Sequence, residues 1–138
     1  MKIAVLKETA DGERRVAVSA ETVKKFIGLG ATVSVEKGAG VAASVADADL
    51  AAAGATIGTR GATLKDADIL LGVQGPTVAS LKGVKPGAWL VAGLNPFGAG
   101  ENGRARVDDY ALLGVEALAM EWMPRITRAQ GKIGRAHV

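Results

Sequence analysis

The sequence has no cysteine and a single histidine, His137, one position from the end of its 138 residues. The first absence removes a disulfide-stapled scaffold, a thiolate zinc site and a thiol nucleophile together. The second argues against a histidine triad, which would have to recruit a residue beyond every recognisable folding element. No apolar run reaches the roughly 18 residues of a membrane-spanning helix. Met1–Leu6 reads as a strand, without the basic, apolar and small-residue regions of a signal peptide. Charge of one sign is scarce as well: residues 1–119 carry 13 basic and 13 acidic side chains, and the net +3 arises from Arg125, Arg128, Lys132 and Arg135 set against Glu121. Adjacent basic residues in the body of the chain are the pairs Arg14–Arg15 and Lys24–Lys25, each with an acid nearby. With no basic stripe to track a phosphate backbone, nucleic acid is not an expected partner.

What is present is the composition of one soluble domain, 49% apolar and 22% charged. A chain of this length buries about 65–70% of its unfolded surface and needs no staple. Short β-branched runs alternate with short amphipathic stretches, and glycine, proline or a capping residue marks each change. Strands are expected at Lys2–Leu6, Thr32–Glu36, Thr56–Ile57, Asp68–Val73, Trp89–Leu94 and Val115–Met120. Helices are expected at Ala20–Ile27 behind the N-cap Ser19, at Ala48–Ala53 behind Asp47, at Thr77–Leu81 and at Arg106–Leu113. The continuous run Ile69-Leu70-Leu71 suits a central strand covered on both faces. The expected fold is α/β: a Rossmann-like (flavodoxin-like) open, mostly parallel, doubly wound sheet in a single domain.

The glycine pairs Gly28/Gly30 and Gly38/Gly40 fail the dinucleotide fingerprint, because the first closes a helix before a strand and both lack the third glycine. Helix termination remains for Gly28/Gly30, and for Gly38/Gly40, at the carboxyl end of a strand, either a plain connecting turn or a place in the lining of a cleft. Arg14 and Arg15 follow the first strand, on the side where open α/β sheets place ligand crevices; either could fork onto a carboxylate or phosphate, or form a surface pair with Glu8 or Glu13. Gln74-Gly75-Pro76 and Asn95-Pro96 leave strands on the same edge. In Met120–Gln130, Pro124 forces Met123 out of the helical region. Arg125 and Gln130 then follow a strand exit, able to bond a nucleotide's ribose, phosphate or carboxamide, or simply to form a charged tail.

Several blocks resemble the N-terminal domain shared by alanine dehydrogenase and the NAD-binding α subunit of proton-translocating nicotinamide nucleotide transhydrogenase. They are Met1–Glu8, Arg15–Ser19, Val35–Gly40, Ala53-Gly54-Ala55, Ala67–Leu70 and Val73–Pro76, and the resemblance spans residues 1–130. Met123-Pro124-Arg125-Ile126-Thr127-Arg128-Ala129-Gln130 looks like the transhydrogenase form. Two departures from alanine dehydrogenase agree with it. That enzyme has a lysine where Gln74 stands and a histidine near the Leu94–Asn95 strand end, and of its pyruvate-holding residues the equivalent of Arg15 remains. The acid–base chemistry of amination then has no carrier, whereas direct hydride transfer between two nicotinamides needs only alignment.

The resemblance implies an oxidoreductase component that binds NAD(H), with NADP(H) held by a partner subunit or domain and proton translocation coupled to hydride transfer. It implies Arg125 near the nicotinamide, Gln130 orienting the ring, Arg15 and Gln74 lining the cleft, and no catalytic side chain or metal. The implied partners are the transhydrogenase β or membrane subunits and a second copy in a homodimer, which would hold the chain peripheral to the cytoplasmic side of the inner membrane without inserting it. Residues 131–138 fit neither the family nor the preceding rhythm and are expected to be a truncated or non-native tail, with the second NAD-binding domain absent and the fragment inactive alone. Two other readings stay open: an alanine dehydrogenase relative without its substrate residues, and a non-catalytic binding or dimerisation module.

Overall fold

In the computed structural model, which describes residues 1–93 and 108–119, the chain starts with the strand that everything else is built around. β1 (Lys2–Val5) pairs in parallel with β2 (Thr32–Glu36) on one side and with β4 (Ile69–Gln74) on the other. β3 (Thr56–Gly58) extends the sheet beyond β2, and β5 (Trp89–Gly93) and β6 (Glu116–Ala119) extend it beyond β4. The order is β3-β2-β1-β4-β5-β6, with every pairing parallel. Of the two common doubly wound orders it is the dinucleotide-fold one, and its winding reverses between β1 and β4.

Side-chain alternation along the strands divides the core in two. Val5, Val33 and Val35 face one layer with Val23 of α1 (Ala20–Gly28) and Leu50 of α2 (Asp47–Ala52). Ala4, Leu70 and Leu90 face the other, with Leu64 of α3 (Arg60–Leu64), Leu81 and Tyr110. Each fully buried leucine contributes about 1.5–3 kcal/mol relative to exposure, so both layers are needed to hold the sheet between them. Leu70 is buried, while its neighbours Ile69 and Leu71 are half-buried, a looser cover than the apolar run predicts.

The Ser19 hydroxyl accepts the Thr22 N–H at 3.2 Å and starts α1 as its N-cap. Gly30, at φ +93°, ends it in the left-handed region that favours glycine. Asp47 does not cap α2: Ala46 holds that position, and both Asp47 carboxylate oxygens accept the Gly38 N–H at 3.0 Å. This fastens the turn after β2, where Gly38 has φ +80°. Thr77–Leu81, expected as a short helix, is a single 3₁₀ turn over Val78–Leu81. α3 has no counterpart among the expected helices; Thr59 caps it through the Ala62 N–H at 3.3 Å. Residues 108–112 are helical and Leu113, the expected end of the Arg106–Leu113 helix, lies in the turn that follows; residues 106–107 are outside the described residues.

Candidate functional site

The reversal between β1 and β4 leaves a crevice at the carboxyl ends of these strands, the usual ligand position in an open α/β sheet. Leu6, Glu8, Thr9, Gly72, Gln74 and Pro76 are among its lining residues, and it holds about 20 Å³, space for a single water. Two carboxylates from the loop after β1 grip the exit of β4. Glu8 accepts the Val73 N–H at 3.2 Å and the Gln74 N–H at 2.8 Å. Glu13 accepts Arg15 through Nε at 2.9 Å, through one Nη at 2.7 Å and through its backbone N–H at 3.0 Å. The same Glu13 carboxylate accepts Gln74 Nε2 at 2.9 Å.

Local irregularity aims Gln74. Between Leu71 and Gln74 the register with β5 slips, a bulge that gives β4 one extra residue at its end. Such bulges re-aim the side chains beside them. From below, buried Tyr110 gives its hydroxyl proton to the Pro76 carbonyl and fixes the turn that follows.

Burial within the Glu13–Arg15 pair is uneven: the Glu13 side chain is 4% exposed and that of Arg15 is 72%. The Arg15 guanidinium, then the Gln74 amide and the Arg15 backbone N–H, hold the Glu13 carboxyl well below the usual carboxylate range. Glu13 in turn raises the Arg15 pKa, with a further contribution from Glu8. The depressed pKa keeps Glu13 in its carboxylate form at neutral pH, in which it can only accept hydrogen bonds.

Dinucleotide folds of this strand order hold pyrophosphate at the start of α1 and ribose on an acid near the end of β2. Here both places are otherwise committed. Ser19 and Glu21 occupy the first turn of α1, and the loop 6–19 ahead of it contains one glycine, Gly12. Glu36, closing β2, accepts the Lys7 N–H at 2.7 Å and Arg60 Nε at 3.1 Å. Among the described residues no group of His, Cys, Asp and Glu is able to hold a metal ion, and no helix is long and apolar enough to cross a membrane.

Of the residues singled out in the sequence, the structure joins Arg15 and Gln74 through Glu13. Gln74 lines the crevice, whereas Arg15 stands beside it. Arg125, Gln130 and Asn95-Pro96 lie outside the described residues. Glu8 and Glu13 were identifiable only as neighbours of an arginine pair. Their reach to residues 73 and 74 depends on a strand order that the sequence does not display.

Residues 4–133 match the family model for the alanine dehydrogenase/PNT N-terminal domain. The chain belongs to this family. An NAD(P) transhydrogenase subunit alpha chain of Rhodospirillum rubrum is 48% identical over 136 residues, covering 94% of this chain and 34% of that protein. The alanine dehydrogenase of Mycobacterium tuberculosis is 34% identical over 96 residues, covering 69% of this chain and 26% of that protein. In structure, the transhydrogenase of Sinorhizobium meliloti superposes with a TM-score of 0.84 at 38% identity, covering 94% of this chain and 38% of that one. The AlaDh/PNT domain described here thus spans about a third of the length of the curated transhydrogenase relative.

Proposed function

We propose that this AlaDh/PNT domain is the N-terminal lobe of the NAD(H)-binding α subunit of a transhydrogenase, which passes hydride between NADH and NADP+ and couples the transfer to proton translocation. The observation that carries the reading is the 48% identity to a transhydrogenase α chain across 94% of this one. The chemistry of the site supports it. Amination would need a proton carrier beside the substrate, and the exit of β4 offers Gln74, a carboxamide that neither takes up nor releases a proton at ordinary pH. Direct transfer asks only for alignment.

In this reading bound NADH supplies the hydride, and the chain's own residues place it. Gln74 and Arg15 suit hydrogen bonds to the polar edge of a nucleotide, while the committed start of α1 does not suit its pyrophosphate, nor the committed Glu36 at the end of β2 its ribose. A second lobe would hold that portion. Arg125 would contact the nucleotide near the nicotinamide and Gln130 would orient the ring. NADP(H) would sit in a partner subunit, the α chain would pair as a homodimer, and the domain would lie peripheral to the membrane through its β or membrane subunits. Alone, as one lobe, it would be inactive.

The test is Arg125→Ala in the full-length protein that carries this segment. NADH-to-NADP+ hydride transfer is expected to fall at least about tenfold, the scale of a lost positioning contact. An unchanged rate rejects the role of Arg125. Alanine-dependent NAD+ reduction by the unaltered protein, in place of transhydrogenation, rejects the reading as a whole.

A further inference from the structure

The hydrogen bonds at the exit of β4 determine which atom of Gln74 meets a ligand. Glu13 is an acceptor on both oxygens, so the group that Gln74 turns toward it must be the amide nitrogen, as the 2.9 Å contact from Nε2 records. Among the described residues no hydrogen bond reaches the other end of the amide, Oε1, which is left for a ligand at the crevice that Gln74 lines. Arg15 Nη2 and Gln74 Nε2 share a single Glu13 oxygen, at 2.7 and 2.9 Å, which puts the guanidinium within two hydrogen-bond lengths of the amide. An acceptor and a donor therefore stand side by side at one strand end.

We propose that Glu13 is a positioning residue that locks Gln74 with its oxygen outward, so that Gln74 and Arg15 together recognise a ligand carboxamide and discriminate against the corresponding carboxylate. This rests on the nucleotide reading above and names the portion of the nucleotide the site reads: the amide of the nicotinamide ring, whose N–H2 would give to Gln74 Oε1 and whose carbonyl would accept from Arg15. A ring carboxylate has no hydrogen to give Gln74 Oε1, and the two lone-pair-bearing oxygens would oppose each other. The local charge acts in the same direction, because Glu8 and Glu13 are two carboxylates around one guanidinium. A site built to pair a donor rejects the analogue that lacks it more strongly than a merely apolar pocket rejects a change of size.

The experiment is a pair of equilibrium titrations of the full-length protein, with NADH and with its nicotinic-acid counterpart, in which the ring amide is replaced by a carboxylate. The unaltered protein is expected to prefer the amide by about tenfold or more, one mismatched hydrogen-bonding position. Gln74→Met keeps the length of an exposed side chain and removes the acceptor; its preference is expected to fall below about threefold, within the scatter of a lost single contact. Glu13→Gln leaves an amide that can give as well as accept and so frees Gln74 to turn over, and the preference is expected to fall similarly. General loosening of the loop would weaken both nucleotides alike and leave the ratio intact, so an unchanged ratio in both variants overturns the proposal. Equal binding of both nucleotides by the unaltered protein overturns it too. If neither nucleotide binds the unaltered protein, the nucleotide reading itself fails, and this inference with it.

Discussion

The two ends of the β1–β4 pair are fastened by the same device and differ in what they leave over. At the amino end, Asp68 accepts the Lys2 N–H at 2.7 Å and Lys85 Nζ at 2.5 Å. Lys2 Nζ reaches the Ala62 and Lys65 carbonyls at 2.9 and 2.5 Å. There both lysines are engaged with groups of the protein itself. At the carboxyl end Glu8 and Glu13 take the role of Asp68, but the cation bound there, Arg15, has a side chain that is 72% exposed, and Gln74 offers only its nitrogen inward. A carboxylate bridge across a switch point is thus a staple at one end and a platform at the other. The difference lies in whether its partners have polar atoms to spare.

The severest way to break the comparison is to remove the strand that both ends hold. Leu70→Ala, in a 1% exposed position, is expected to destabilise the domain by about 2–5 kcal/mol, lowering denaturant midpoints and loosening both edges together. Next comes Glu8→Ala, which strips the acceptor from the Val73 and Gln74 N–H groups. Leaving the part-buried Val73 N–H unpaired costs about 1–3 kcal/mol at most, while water replaces Glu8 at the exposed Gln74 N–H, and faster amide exchange at residues 73 and 74, with Lys2 and Asp68 unaffected, would separate the two ends.

Acid titration sharpens the contrast further. Lys85 and then the Lys2 N–H hold the Asp68 carboxyl below its ordinary value, and Arg15 and Gln74 do so more strongly for Glu13. A carboxyl whose native pKa is depressed adds stability that is fully present above the unfolded value, near pH 4, and lost as pH falls through the lower native value. Stability curves from pH 7 to pH 2 should therefore have a shallower acid limb in Asp68→Asn and a still shallower one in Glu13→Gln. Identical limbs in all three proteins would contradict the assignment of these bridges. The smallest effect is expected from Lys85→Met: the Lys85–Asp68 pair is 41% and 38% exposed, so screening leaves it little to contribute, and that little should vanish in high salt.

Much of the scaffold was legible in the sequence. Thr32–Glu36 alternates cleanly and is the strand β2 over the same residues. Ser19 has a cap's chemistry ahead of an apolar face, and it caps α1. The failures come from elements of a single turn. α3 runs five residues, Arg-Gly-Ala-Thr-Leu, with a glycine inside, too short for a 3.6-residue period to declare itself. Thr77–Leu81 is equally short, and one turn closes as 3₁₀ as readily as α. Asp47 has a cap's chemistry one residue too late, and its carboxylate goes instead to the Gly38 N–H nine residues back. The site was less legible than the fold. Arg15 and Gln74 could each be placed at a strand exit, but the contact that joins them passes through Glu13 across 61 positions. Only the reversal between β1 and β4 brings those positions together.

The most direct test is an amide NMR titration of the full-length protein with NADH, followed at the two ends of the β1–β4 pair. Shifts concentrated on the Gln74 side-chain N–H2, the Gly75 N–H and the Arg15 Nε–H, with Lys2, Asp68 and Lys85 unmoved, are the expected result. Shifts at the amino end with the Gln74 amide silent would contradict the account.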